Sequence, residues 1–433
     1  MTTDSTGCGC PDFTRTTLSR RRFLAGAAAG AGALTTGSLF GDAHRQVAYG
    51  AAPGGNVVVV LSLRGGCDGL SIVVPRGVTD HDRLRALRPR IVVPRESLLG
   101  ADPAFGLHPA FAPLASMWDD GRFGAVHAVG LPAPNRSHFD AMQTIEDADP
   151  GTSERVGWIN RTIGLDATAV EETAVQLGSS LLPTSLVGPA GAIGAARVND
   201  LGLYDLGAGR TARQASLQEM WGNQAGLLGR SMRGTLATVK RLEPAVAAAD
   251  DDAPGGSSVH ESAFPEGPLR SVLANTSALI RADVGTRVVT VDYGNWDMHN
   301  GLGGADPTRG WMADQVRHLA GSLAAFFTDL GPAASRVTVV TLSEFGRRVK
   351  ENGDNGVDHG YGNVMLLLGA GVKGGTVHGS WPGLADLDDG DLRVTRDYRS
   401  VLWEVLSTRF PDVSGSRATI FPSLTPETIG AMA

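Results

Sequence analysis

Residues 56–63 read N-V-V-V-V-L-S-L, an unbroken β-branched run. With no alternation of polar and apolar residues, such a run suits a strand buried on both faces, at the centre of a sheet. Further strands are predicted at 124–129, 287–291, 337–342 and 364–368. Between them, 307–330 carries Trp311, Met312, Val316, Leu319, Leu323, Phe326 and Leu330 at helical spacing. A last long helix is predicted over 396–408, before Pro411. Strands separated by helices of this length make βαβ units. The expected fold class is therefore α/β, a mostly parallel central sheet with helices on both faces.

The middle of the chain reads differently. Residues 156–285 are expected to be a largely helical insertion covering one edge of the sheet, with 214–242 its clearest helix. Residues 247–258, A-A-A-D-D-D-A-P-G-G-S-S, read as an acidic loop. No internal repeat is visible, and 53–433 is expected to form one domain.

Ahead of it, Ser19-Arg20-Arg21-Arg22-Phe23-Leu24 precedes an Ala/Gly-rich apolar run, the pattern of a twin-arginine signal over 1–52. The run is rich in Gly and poor in Leu, Ile and Val, so no membrane span is expected to remain after cleavage. The expected partner is the export machinery, and the expected location is periplasmic or extracellular. The chain has 433 residues and net charge −7. The signal segment holds five Arg and three Asp, so the remainder carries about −9, which excludes nucleic acid as a natural partner. Cys8 and Cys10 precede the signal, leaving Cys67 without an internal disulfide partner.

In open α/β sheets ligands bind at the carboxyl ends of the strands. Chemically capable residues flank several predicted strand ends: Asp68, then Asp297 and His299, then Glu344, then Asp358-His359. Taken singly, each has an ordinary structural role as a turn former or helix cap. Together they suggest one shared site, and carboxylates mixed with imidazoles suit zinc, manganese or a similar divalent ion, one or two in number. In Asn135-Arg136-Ser137-His138, Ser137 is a candidate nucleophile. Arg136 is placed to hold an anionic oxygen and His138 to act on protons or metal. The structural alternative for Ser137 is an N-cap, with Asp140 completing a capping box. Arg64 and Arg347 are candidates for binding an anionic substrate, or for pairing with nearby carboxylates.

The runs L-R-G-G-C-D-G-L-S (63–71), F-G-L-H-P-A (105–110), N-R-S-H-F-D-A (135–141), W-D-M-H-N (296–300), L-S-E-F-G-R (342–347) and D-H-G-Y-G-N-V-M (358–365) resemble the twin-arginine-exported domain-of-unknown-function family 1501. That family is similar to the alkaline phosphatase and arylsulfatase superfamily. The resemblance implies metal ligation by Asp68, Asp297, His299, Glu344 and His359, and a nucleophilic Ser137. Where superfamily members carry T-x-D-H-G, this chain reads T-L-S-E-F-G. Glu344 then takes the place of an Asp and Phe345 that of a His ligand, which favours one ion or a looser pair. No C/S-x-P-x-R run surrounds Ser137, which argues against a formylglycine mechanism. These readings point to an exported metal-dependent hydrolase of phosphate or sulfate esters, small or polymeric. The rival is a non-catalytic binding or assembly protein with a degenerate metal site. An exported redox protein would also use this route, but no cofactor-binding motif supports one.

Overall fold

The computed structural model describes residues 54–433 apart from 101, 203–209, 250–259 and 305. The expected signal over 1–52 and most of the expected acidic loop at 247–258 lie outside the described residues. Eleven strands are numbered in chain order: β1 (Val57–Leu63), β2 (Val73–Pro75), β3 (Phe105–Leu107), β4 (Phe123–Gly130), β5 (Ala174–Leu177), β6 (Ile193–Ala195), β7 (Val288–Tyr293), β8 (Val337–Leu342), β9 (Asn363–Gly369), β10 (Val377–His378) and β11 (Arg396–Asp397). Strands β2 and β3 form a small antiparallel pair. The others make one sheet in the order β10-β4-β9-β8-β1-β7-β5-β6, with β11 also on β4.

The β-branched run sits where its composition requires. β1 lies between β7 and β8, parallel to both, and every residue of it is buried. Successive side chains point to opposite faces. Val57, Val59 and Leu61 join one core, and Val58 and Val60 the other. The first core is closed by the helices Gly226–Ala249, Arg270–Arg281 and Trp311–Leu330. The second is closed by His138–Asp147, Trp158–Ile163 and Tyr398–Arg409. The sheet is thus covered by helices on both sides. Among the described residues no helix is long and apolar enough to cross a membrane.

Two expectations change. The segment 156–285 does more than cover an edge, because it supplies β5 and β6, which continue the sheet in parallel beyond β7. Short strands such as A-V-Q-L carry too little apolar periodicity to stand out from irregular chain. The helix over 214–242 is two helices, Arg210–Trp221 and Gly226–Ala249, separated at Gly222–Ala225.

One strand runs against the rest: β9 is antiparallel to both β4 and β8. Its amino end therefore lies at the edge where β1, β7 and β8 have their carboxyl ends. The loop before β9 and the loops after β1, β7 and β8 all meet there.

Candidate metal centre

Three segments deliver the side chains of the site, and the end of β1 anchors one of them. After β7, Trp296 donates its backbone N–H to the Arg64 carbonyl, tying that turn to the end of β1. The side chains of Asp297 and His299 reach one another, with Oδ1 to Nε2 at 3.1 Å. His359 arrives from the loop before β9, and its Nε2 lies 3.3 Å from Asp297 Oδ1. His138 opens the helix His138–Asp147 and places Nε2 3.6 Å from Asp297 Oδ2.

The imidazoles converge through the same atom. His359 Nε2 is 3.0 Å from His138 Nε2 and 2.9 Å from His299 Nε2. Two of the three rings anchor Nδ1 elsewhere. His359 Nδ1 lies 2.9 Å from the Arg136 carbonyl, which only accepts, so that nitrogen carries the hydrogen. His299 Nδ1 donates to Asp358 at 2.8 Å, and that hydrogen bond, joined by one from Asn352, holds the Asp358 carboxyl below its usual range. Burial lowers His359, which favours its neutral form. The two rings thus bring their Nε2 atoms to 2.9 Å, a contact that a shared proton or a bound cation satisfies. Ring N–H groups anchored on a carbonyl or carboxylate are the usual support of metal-bound histidines. Ligand atoms around a tetrahedral zinc stand about 3.3 Å apart, close to the spacings here. His138, Asp297 and His359 place three ligand atoms within 4.8 Å of one another.

Asp297 is held as an anion. Partial burial acts to raise its carboxyl, but Arg347, with His299 and His138 beside it, outweighs this and keeps it below the usual range. Arg347 donates to Asp297 Oδ1 at 2.6 Å. Phe345 packs its ring 4.9 Å from His138 and 4.7 Å from His359, centroid to centroid. It supplies no ligand atom; it packs against two rings that could.

The other expected site residues are engaged differently. Asp68 does not join the cluster. Both its oxygens bind the buried Arg88, at 2.5 and 3.0 Å, and one also accepts from Ser71. Glu344 lies 3.8 Å from His138 Nδ1, but its carboxylate accepts the N–H groups of Gly65 and Gly66 at 2.8–3.0 Å. Arg347, expected at the substrate, is buried with no exposed side-chain surface and donates to the carbonyls of Gly65, Gly66, Trp296 and Val357. The Gly65-Gly66 turn is therefore gripped by an anion on its N–H side and a cation on its carbonyl side. Both glycines have positive φ. A Cβ on Gly65 would come within 2.6 Å of the Asp297 nitrogen, and one on Gly66 within 2.5 Å of the Phe345 ring. Arg64 is paired with Glu146 and Asp292 at 2.7 and 2.9 Å, rather than free for substrate.

Ser137 is the N-cap residue and is exposed, but its side chain makes no capping hydrogen bond. The expected capping box is absent, because Asp140 instead accepts from Asn135. Arg136 pairs with Asp389 and Asp391 at 3.2 and 2.5 Å and stays about one-third exposed. Cys67 is buried, and burial pushes its thiol well above the ordinary range, so it is an unreactive filler. Sequence reasoning missed Arg88 and Asn352. Nothing in L-R-A-L-R-P-R distinguishes Arg88 from its neighbours, whereas Asn352 lies only six residues before Asp358.

The family model for "Protein of unknown function (DUF1501)" matches residues 123–394. The chain belongs to that family. No curated protein matches it. Solved structures similar to this DUF1501 member include the alkaline phosphatase of the Antarctic bacterium TAB5, at 11% identity over 75% of this chain and 94% of that one, with a TM-score of 0.28. A 2-O GAG sulfatase shares 9% identity over 74% of this chain and 65% of its own, with a TM-score of 0.29. A Pseudoalteromonas sulfatase shares 13% over 75% and 64%, with a TM-score of 0.28. No residue role is carried over at such scores, and the chemistry rests on the geometry of this chain.

Proposed function

We propose that this DUF1501 protein is an exported, metal-dependent hydrolase of phosphate or sulfate esters. It would hold one divalent ion, zinc or manganese, on His138, Asp297, His299 and His359. The observation that carries the reading is the convergence of ligand atoms of His138, Asp297 and His359 within 4.8 Å of one another, with His299 Nε2 2.9 Å from His359 Nε2. A divalent ion bound there would activate a hydroxyl or water and stabilise charge on the transferring oxygens. The chain's own groups do the rest. Ser137 presents an uncommitted hydroxyl at the start of a ten-residue helix, whose free N–H groups favour an anionic ester oxygen. His138, the next residue, is partly exposed and lies beside the carboxylate of Asp297. Arg136 borders the same entrance.

Asp68 takes no part as a ligand in this reading, because Arg88 already neutralises it. Metal analysis of the purified protein tests the site, with close to one ion per chain expected and its loss in His359→Ala. A panel of p-nitrophenyl phosphate, phosphodiester and sulfate esters, with and without zinc or manganese, tests the activity. Turnover abolished by Ser137→Ala supports the hydrolase.

The second reading, a non-catalytic exported binding or assembly protein, is favoured by the internal engagement of Asp68, Glu344, Arg347 and Arg64. Bound metal without turnover on any ester would decide for it. Export is inferred from Ser19 to Leu24. Replacing Arg20 and Arg21 with lysine is expected to retain the uncleaved chain in the cytoplasm, read by fractionation.

A further inference from the structure

A cavity of about 640 Å³ lies beside the metal centre and shares Asp358 with it as a wall. That volume is in the range of small-molecule sites. Its walls come from three segments: Arg90 with its neighbours at the end of the helix Val78–Leu87, Arg348, Lys350 and Glu351 after β8, and Gly390. Its carboxylates are engaged from within. Glu351 is buried and accepts from both the backbone and the side chain of Arg90. Asp358 accepts from His299 and Asn352. Arg348 is a third exposed and pairs with Asp389 and Asp391 at 3.3 and 3.5 Å. Lys350 is exposed and makes no ion pair among the described residues. Arg90 spends its remaining donors on the carbonyls of Asn352 and Gly353, and Arg348 is paired, so Lys350 is the pocket's one cation without an ion pair among the described residues.

We infer that this cavity binds a second anionic group, a phosphate or sulfate set away from the ester under attack, with the unpaired Lys350 as its principal cation beside the paired Arg90 and Arg348. The substrate class would then be esters carrying more than one such group. As the seat of a substrate's far end, the site rests on the hydrolase reading. As an anion site it is testable by binding alone.

Lys350 is one of three lysines in the chain, with Lys240 and Lys373, and all three are exposed. Reductive methylation of the full-length protein, mapped by mass spectrometry, therefore reads each separately. Pyrophosphate and a doubly sulfated disaccharide are the two probes, which distinguish a phosphate from a sulfate ligand. The expected result is protection of Lys350 by at least one probe, with Lys240 and Lys373 unprotected. Calorimetric affinity for that probe should fall about tenfold in Lys350→Glu, the loss of one charge-assisted contact. It should persist in His138→Ala, which disables the metal centre alone. Equal modification of Lys350 with and without both probes overturns the proposal, as does unchanged affinity in Lys350→Glu. Binding lost in His138→Ala but kept in Lys350→Glu places the anion at the metal centre and also overturns it. Absence of ester turnover, with Lys350 still protected, would defeat the hydrolase reading and leave the anion site standing.

Discussion

Arg347 holds Asp297 from inside the protein: its Nη2 donates to Asp297 Oδ1 at 2.6 Å, while the rest of its guanidinium ends on backbone carbonyls. One buried cation thus fixes both the carboxylate of the site and the turn beneath it. Lysine has neither the planar fork nor the number of donors to do both. Asp297 is itself about half exposed, so Arg347→Lys is expected to cost roughly 1–3 kcal/mol, chiefly from buried backbone carbonyls left without donors. It should also weaken metal retention. Urea unfolding read alongside metal content checks this, and full retention of both in the variant would refute it.

The pairing of Asp68 with Arg88 separates a structural carboxylate from a ligating one. Both side chains are buried, and Arg88 also donates to the carbonyls of Arg348 and Val349. Asp68→Asn is expected to cost about 3 kcal/mol or more in unfolding free energy and to leave metal content unchanged. His359→Ala is expected to do the reverse, losing metal at a smaller cost in stability. Metal loss in Asp68→Asn would show that Asp68 is a ligand after all.

Two histidines away from the site set an acid limit. Burial pushes His127 and His108 down to about 4. Unfolded, each titrates near 6.5, so between pH 6.5 and 4 the unfolded chain binds more protons than the folded one. Stability therefore falls as pH drops through that window, by up to about 3 kcal/mol for each ring, and is unaffected by them above it. His127 is held by the Val73 carbonyl and the Ala128 N–H, which glutamine can partly replace. His127→Gln should flatten the pH dependence of urea midpoints below 6.5. An unchanged slope would count against the assignment.

Gly65 and Gly66 test the clamp formed by Glu344 and Arg347. An alanine at Gly65 needs an unfavourable φ of +116° and puts a methyl 2.6 Å from the Asp297 nitrogen. Gly65→Ala is expected to cost more than about 2 kcal/mol and to lower metal content, because the displaced backbone carries Asp297. Gly54→Ala also has positive φ but meets no atom within 4 Å. It should cost about 1 kcal/mol from the backbone conformation alone and leave metal content unchanged.

Much of the fold is legible in the sequence because buried strands leave a strong mark. The runs ending at Leu63 and Leu342 match β1 and β8 within a residue, since strands covered by helices on both faces are filled largely by Val and Leu. The strands β5 and β6 lie near an edge and carry no such mark. At the site, W-D-M-H and D-H-G locate residues that meet, because short polar runs at strand ends have few places to go. The partners of those residues are not legible. Whether a carboxylate faces a metal, a guanidinium or a pair of backbone amides depends on which distant segment packs against it. Asp68 is matched with Arg88 and Glu344 with Gly65 only by the tertiary fold. Nor does the sequence disclose that β9 runs backwards, without which His359 would emerge at the far edge of the sheet.

That reversal has an architectural consequence. Because β8 and β9 are adjacent and antiparallel, residues 343–362 leave and re-enter the sheet on one side. This single excursion carries Glu344, Phe345, Arg347, Asp358 and His359, together with the cationic wall formed by Arg348 and Lys350. Insertions or replacements along it would reshape what the pocket admits while leaving every hydrogen-bonded strand pair in register, so ligand preference can diversify here without the scaffold being rebuilt.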